Sequence, residues 1–515
     1  MKKKYVRWTL WTIASPFILF IILCILIYLP PIQNFLVDKA AVYASEATGM
    51  NISVGRISLS FPLNLVVTNV DAASPHNDTL LSVRRLQVNV QLLPLLKKQV
   101  EVDGISLQGA TVNSNDLIHG MRLNGTLGEL FISSHGVALD PETAIVNKVL
   151  LKDTDLSLCL NDTAAADTAA SDTTYWKIIL QDIDLQNVSF ALDMPLDSLS
   201  LAASLDNAIL RDGLIDLHKS AYSLQTFRIE NGRVRYDNGK PLAADSLSSG
   251  LDPSHIALTD IGVKLDSLYY GGRNMKAIIS QFVLKERSGV EIVSATGRMV
   301  SNDKVLRVPS LKLETRDSYL ELNAAMDWNA LDFKDEGLVS ARLMADIGKP
   351  DVVRFMGSMD EKFIRQYPSE PLRIRTGIDG DLNKLKLTTL TAELPGALGL
   401  FARGELTHLT DSLLRGGDIT LEAETKDLKF VSTLAEGIEI PYGTRLEGKF
   451  TMAGTKMGTD LLLMQPEAQA VVAADTIPIT VYNDSISVAD DFKMERAARL
   501  FAKYDLSRDR YEADL

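Results

Sequence analysis

Any chemistry in this chain would have to come from its histidines, its paired carboxylates or its two cysteines. The six histidines, His76, His119, His135, His218, His255 and His408, are widely separated. None sits in an HxH or HExxH setting or beside a cysteine, so the spacing supplies no metal ligand set. Asp153/Asp155 and Asp182/Asp184 form DxD pairs that could hold a cation. Such pairs are more often the wet face or the turn of a strand, and that is the reading adopted here. Cys24 lies inside an apolar run and Cys159 in a polar segment, so the two do not make a disulfide; neither has a CxxC or histidine neighbour. There is no GxSxG, P-loop or GxGxxG motif. The expectation is a protein that is not an enzyme, with no metal and no cofactor.

Two further patterns carry weaker signals. Lys97-Lys98, beside Leu95-Leu96, could attract lipid headgroups, although a solvated turn is the simpler account. The triplets Asp197-Ser198-Leu199, Asp266-Ser267-Leu268 and Asp411-Ser412-Leu413 suit O-glycosylation in some bacterial envelope proteins. Asp and Ser are equally at home in ordinary turns.

The elements that would position these residues follow from the totals and the periodicity. The chain has 515 residues, 46% hydrophobic, which is too apolar for disorder. A net charge of −13 argues against nucleic acid as a partner, because phosphate binding needs a basic surface.

Trp8 to Leu29 contains no charged side chain. Its residues, at 1.5 Å each, give about 33 Å of helix, enough to cross a bilayer core. Trp8, Trp11, Phe17, Phe20, Leu23, Leu26, Tyr28 and Leu29 are the expected anchor residues, and Pro16 is a possible kink. Lys2, Lys3, Lys4 and Arg7 precede the run and keep the N-terminus cytoplasmic. A cleaved signal peptide is the rival, but Val42-Tyr43-Ala44 lies too far past the apolar run to serve it. Pro30-Pro31 ends the span. Ile32, Phe35, Leu36, Ala40, Tyr43, Ala44 and Ala47 then follow helical spacing up to Gly49.

From Asn51 the period is that of strands. Ile52 and Val54 alternate, then Ile57 and Leu59 after a slip at Gly55, then Leu65 and Val67. Leu86, Val88, Val90 and Leu92 alternate with Gln87, Asn89 and Gln91. Val100 and Val102, then Ile105 and Leu107, continue the pattern, and the slip at Asp103-Gly104 predicts a bulge. Further on, Leu311, Leu313, Leu320 and Leu322 alternate about a hairpin turn at Arg316-Asp317. Asp351 to Tyr367 reads as one helix with Val352, Phe355, Met356, Met359 and Phe363 on one face. It is expected in or over the groove. The polar, low-complexity segment 161–174 is expected to be a disordered loop. Tyr504 and Tyr511 lie in alternating runs flanking SRDR, so the chain stops inside a strand.

The anchor, the stretch GMNISVGRISLSFPLNLVVTNV (Gly49 to Val70) and LQVNVQLLPLLKKQVEVDGISLQGATV (Leu86 to Val112) together resemble the N-terminus of the AsmA-like family of bacterial envelope proteins, which includes TamB. DIDLQNVSFAL (Asp182 to Leu192), RIENGRVRYDN (Arg228 to Asn238) and Thr376 to Leu406 look like the strand–Asn–strand units of TamB-type members. The resemblance implies a mainly β fold: a transmembrane helix followed by one long, curved antiparallel sheet with an apolar inner face and a few short helices. The expected layout is 1–31 stub and anchor, 32–49 capping helix, 50–160 N-terminal β-groove, 161–174 loop, and 175–515 continued groove repeats, truncated at the C-terminus. Some 30 strands would make a ladder of roughly 140 Å. The implied lining is Leu86, Val88, Val90, Leu92, Val100, Val102, Ile105, Leu107, Leu311, Leu313, Leu320 and Leu322. The implied function is a single-pass inner-membrane protein whose periplasmic groove conducts phospholipid toward the outer membrane. The alternative is a TamB-type scaffold for outer-membrane protein assembly, working with a β-barrel insertase through strand addition. An adhesive or glycan-binding surface protein is a third, weaker reading.

Overall fold

The computed structural model describes residues 51–60, 64–74, 78–91, 102–114, 120–138, 142–161, 175–240, 250–334, 337–356, 361–433, 442–466, 494–505 and 510–514, with scattered positions from 39 to 50. The expected anchor residues, Leu92, Val100, the Lys97-Lys98 pair and nearly all of the 161–174 loop lie outside them. Residues 39, 41, 42, 45, 46 and 48 are helical, as the spacing predicts there. Among the described residues no helix is long and apolar enough to cross a membrane.

The architecture is mainly β with a few short helices, and the chain divides into two compact units. Unit one comprises residues 1–241 with 254–271; unit two comprises 242–253 with 272–515. The strands of unit one are β1 (Asn51–Ser60), β2 (Asn64–Ala73), β3 (Thr79–Val90), β4 (Val102–Asn113), β5 (Met121–Ala138), β6 (Thr143–Leu160), β7 (Lys177–Met194), β8 (Leu199–Asp216), β9 (Ala221–Leu224), β10 (Thr226–Asp237) and β11 (His255–Gly271). Each pairs with the next through β8; β10 and β9 then share one lane between β8 and β11.

One pairing corrects the expectation of an antiparallel sheet: β6 and β7 run parallel, with Thr143 beside Lys177 and Leu158 beside Leu192. A hairpin cannot join parallel neighbours. The link between Leu160 and Lys177 must return along the whole length of β6, and at about 3.5 Å per residue it is long enough. The low-complexity segment falls in this link, and all of it but residue 161 lies outside the described residues.

Unit two contains β12 (Asn274–Glu286), β13 (Glu291–Ser301), β14 (Val305–Thr315), β15 (Tyr319–Asp327), β16 (Leu338–Ile347), β17 (Leu372–Asp381), β18 (Lys384–Leu394), β19 (Leu398–Thr407), β20 (Gly416–Thr425), β21 (Arg445–Ala453), β22 (Lys456–Pro466), β23 (Met494–Asp505) and β24 (Arg510–Asp514). These form a meander in which every strand pairs antiparallel with the next. The described strands number 24 in all, fewer than the 30 expected. The hairpin expected at Arg316-Asp317 joins β14 to β15, and the one expected at SRDR joins β23 to β24.

The helix expected over Asp351–Tyr367 is two short helices, α2 (Lys349–Phe355) and α3 (Glu361–Gln366); a one-turn α1 (Trp328–Leu331) precedes them. Phe363 is buried as expected, but Phe355 and Met356 are exposed, and Met359 lies outside the described residues. α3 docks through buried Phe363, and α2 adds half-buried Val352 to the same apolar cluster. Phe363 and Tyr367 pack with Leu394, Ala397, Leu428 and Phe430, supported by Leu372 and Leu398 at neighbouring strand ends. Asp351, fully buried, anchors α2. It accepts hydrogen bonds from Ser318 Oγ (2.6 Å), from Thr315 Oγ1 and from Arg354 Nη1 (3.0 Å), so its charge is paired.

Candidate functional site

Residues paired across a ladder share a face, so the registers trace each face residue by residue. In unit one, one row runs Ile57, Val67, Leu86, Leu107, Leu130, Leu151, Leu185, Ala208, Ile229, Val263. The adjacent row runs Leu59, Leu65, Val88, Ile105, Ile132, Val149, Ile183, Leu210, Phe227, Leu265. Both rows cross ten lanes, about 43 Å at 4.8 Å each, without a polar residue. Every member except Ala208 is only half-buried. A row on the other face runs Arg56, Thr68, Arg85, Gln108, Glu129, Lys152, Gln186, Asn207, Glu230, polar throughout.

The apolar rows survive a phase slip that recurs in every lane. Apolar residues fall at 83 and then 86 in β3, at 107 and then 110 in β4, at 151 and then 156 in β6, and at 185 and then 188 in β7. A one-residue slip alone would turn the later residues to the wet face. The register places one extra residue per lane on a common line: Gly55, Asn69, Arg84, Gly109, Gly128, Asp153, Asn187, Asp206 and Asn231. Asn69 (φ 53°), Gly109 (φ 62°), Asp153 (φ 50°), Asn187 (φ 51°) and Asn231 (φ 54°) take left-handed backbone there. This is how a strand absorbs an extra residue, and Asn, Asp and Gly tolerate it best. The side-chain amides tie neighbouring lanes: Asn187 Nδ2 donates to Asp153 Oδ1 (2.8 Å) and Asn231 Nδ2 to Asp206. Beside Asp153 and Asn69 space favours glycine: a Cβ on Gly128 would lie 2.8 Å from that of Asp153, and one on Gly55 3.0 Å from that of Asn69.

The line explains the slip at Gly55 and the recurring Asn units, which periodicity alone left as interruptions. The bulge expected at Asp103-Gly104 is present as the extra residue Asp103 between Asn89–Gly104 and Val90–Val102. That pairing, with Leu86–Leu107 and Val88–Ile105, puts the described members of the first expected lining group side by side. In unit two, Leu311 pairs with Leu322 and Leu313 with Leu320.

Unit two carries two rows of its own, apolar except for Thr376 in the second. One runs Ala295, Leu313, Leu320, Ala345, Ile374, Ala392, Leu400, Ala423, Leu446, Leu463. Its neighbour runs Gly297, Leu311, Leu322, Leu343, Thr376, Leu390, Ala402, Leu421, Gly448, Leu461. Large residues lean over small ones. A Cβ on Gly448 would meet Leu461 Cδ2 at 2.2 Å, and one on Gly297 would meet Leu311 Cδ1 at 2.9 Å. Ala345 and Ala402 are buried accordingly.

The remaining chemical candidates are structural. Arg211 pairs with both Asp182 and Asp184, the latter at 2.8 Å. Asp153 and Asp155 are bound by Asn187 and Ser189. Among the described residues no group of three or more His, Cys, Asp or Glu side chains could hold a metal ion. Ser198 and Ser412 lie in connections, and Ser267 lies within β11. Comparison with family models, with curated proteins and with solved structures found no match.

Proposed function

We propose that this chain is a non-enzymatic, membrane-tethered lipid duct of the AsmA-like, TamB-containing kind. Phospholipid acyl chains lie on the apolar rows with their headgroups in water at the strand ends. The observation that carries this reading is the pair of unbroken apolar rows across ten lanes of unit one, held half-exposed rather than sealed under a second layer. An apolar face of that extent needs a cover. An acyl chain of about 15 carbons gains roughly 12 kcal/mol by leaving water, at about 0.8 kcal/mol per methylene, so any polar gap along the path would be a steep barrier. The aligned left-handed residues support the same reading, because they keep the rows intact where the sequence slips.

On this reading Trp8 to Leu29 holds the chain in the inner membrane of a bacterial cell and the sheet stands in the periplasm. Movement is driven by a partner or by a lipid gradient.

The test is photo-crosslinking in cells, with the crosslinker at Val88, Val90 or Leu107 and, for the wet face, at Gln87 or Asn89. Lipid adducts at the first set and none at the second are expected. Leu151→Asp, a charge in the middle of a row, should cut adducts on lanes beyond it by at least about tenfold, since desolvating a carboxylate costs several kcal/mol. Equal labelling of both faces overturns the reading. So does retrieval of an outer-membrane barrel that survives Leu151→Asp with no lipid bound, which fits an assembly scaffold instead.

A further inference from the structure

In unit two the strand ends opposite α2 and α3 carry two long connections, residues 328–337 between β15 and β16 and residues 408–415 between β19 and β20. Between them lies the β17–β18 turn. His408 N donates to Asn383 O (3.0 Å) and Leu409 N to Leu382 O (2.8 Å), which folds the second connection over that turn.

Both connections display large apolar side chains at their tips. Phe333 is 58% exposed, Leu413 79% and Leu414 64%, and Leu331 and Leu338 are exposed beside them. The display is built rather than loose. Arg273 Nη2 holds Asp332 through both carboxylate oxygens (2.9 and 3.2 Å), and its guanidinium lies 5.3 Å from the Trp328 ring centre. Trp328 Nε1 donates to Asn302 O (2.6 Å). The connection so pinned holds Phe333 at φ 57°, a conformation a bulky residue rarely takes. In the other connection Asp411 Oδ1 accepts from the backbone N–H groups of Leu413 (2.8 Å) and Leu414 (3.2 Å), fixing the turn that carries both leucines.

We propose that this edge of unit two rests on a lipid bilayer, with Phe333, Leu413 and Leu414 inserted at the boundary between headgroups and acyl chains. A stable protein partner needs a contiguous patch of about 800 Å² a side with an apolar centre. Here the apolar tips are separated by Asp332, Lys334, Asp411 and Arg415. A bilayer boundary accepts separate apolar tips and leaves charged neighbours among the headgroups. In sequence the two connections carry more acidic residues (Asp332, Asp335, Glu336, Asp411) than basic ones (Lys334, Arg415), so the contact depends on apolar insertion and not on anionic lipid. The inference does not depend on lipid moving along the sheet.

The test uses the full chain with Cys24→Ser and Cys159→Ser and an environment-sensitive fluorophore on Phe333→Cys, on Leu413→Cys or, on the wet face of β14, on Lys312→Cys. The probe is phosphatidylcholine vesicles with and without nitroxide on the acyl chains. Labels at 333 and 413 should shift to the blue on vesicle addition, lose intensity to the nitroxide lipid and be unaffected by high salt; the label at 312 should do none of these. Adding Leu343→Asp, which charges the apolar face, should leave the signals at 333 and 413 in place. Labels at 333 and 413 as water-like as that at 312 overturn the proposal. So does a signal abolished by Leu343→Asp, which comes from lipid held on the sheet, or a blue shift that grows with protein concentration and ignores nitroxide, which marks contact with a second copy.

Discussion

In unit one the apolar rows are made of large aliphatic side chains and Phe227, and Ala208 is the single small residue in the two rows traced. In unit two the corresponding rows mix leucine and Ile374 with alanine, glycine and one threonine, Thr376, so that Leu461 lies over Gly448 and Leu311 over Gly297. Unit two also gathers an aromatic core at one set of strand ends, where Phe363, Tyr367 and Phe430 pack edge to face or tilted, with centroids 5.2–5.8 Å apart. Left-handed residues differ in the same sense. In unit one Asn69, Asp153, Asn187, Asp212, Asn231 and Asp260 sit inside strands, with Glu142, Ser198 and Ser220 in connections; in unit two the non-glycine examples among the described residues, Phe333 and His408, both sit in connections. The contrast teaches that one apolar sheet face can be made viable in two ways. Large and small neighbours can interdigitate, burying most of the alanines while the leucines stay half-buried, with helices closing an end; or large residues, half-buried throughout, can fill nearly the whole row.

The contrast breaks most easily at Phe363. Phe363→Ala removes the buried centre of the helix-capped end and should cost unit two about 3–5 kcal/mol. Hydrogen exchange should show protection lost around α3 and the ends of β17–β19, with β3–β8 unchanged. Leu107→Ala, at a half-exposed row position, should cost clearly less; equal losses would remove the distinction between the units.

A smaller effect sharpens the account of unit one. Gly128→Val would push a side chain against Asp153 and should cost about 1–3 kcal/mol in denaturant unfolding, whereas Gly399→Val, where a Cβ meets nothing within 4 Å, should be far milder. Asn187→Gly should be tolerated and Asn187→Ala should lose about 1 kcal/mol, because only the alanine pays the left-handed penalty.

The smallest effect is a pH dependence confined to unit two. Burial raises the Tyr367 phenol above its ordinary value. The folded state therefore holds that proton more tightly than the unfolded chain. Its stabilising contribution is complete below the ordinary phenol value of about 10 and is lost as pH rises through the raised one. Exchange around α3 should accelerate in strong alkali, and Tyr367→Phe should suppress the dependence.

Much of this was legible in the sequence. Leu86, Val88, Ile105 and Leu107 alternate with polar partners, which is enough to place them on one face and to predict a largely β chain. The bulge at Asp103 could be read from a change of phase beside a glycine. The spacing over 351–367 predicts one helix where the chain forms two short ones. Spacing puts Val352, Phe355 and Phe363 on one stripe, but spacing carries no information on which part of a stripe meets a surface; Val352 and Phe363 meet one and Phe355 does not. The parallel pairing of β6 with β7 was illegible for a related reason: a strand's periodicity is the same whichever way it enters the sheet.

The order of residue types by itself determined that strands with one greasy and one wet side would form, since a period of two is a local property of the backbone. It also supplied the Asn, Asp and Gly residues able to turn left-handed. Only the tertiary structure decided that those residues fall on one line across the lanes, because alignment depends on register between segments far apart in the chain. That line converts slips that would have flipped each strand into a face that stays apolar from β1 to β11.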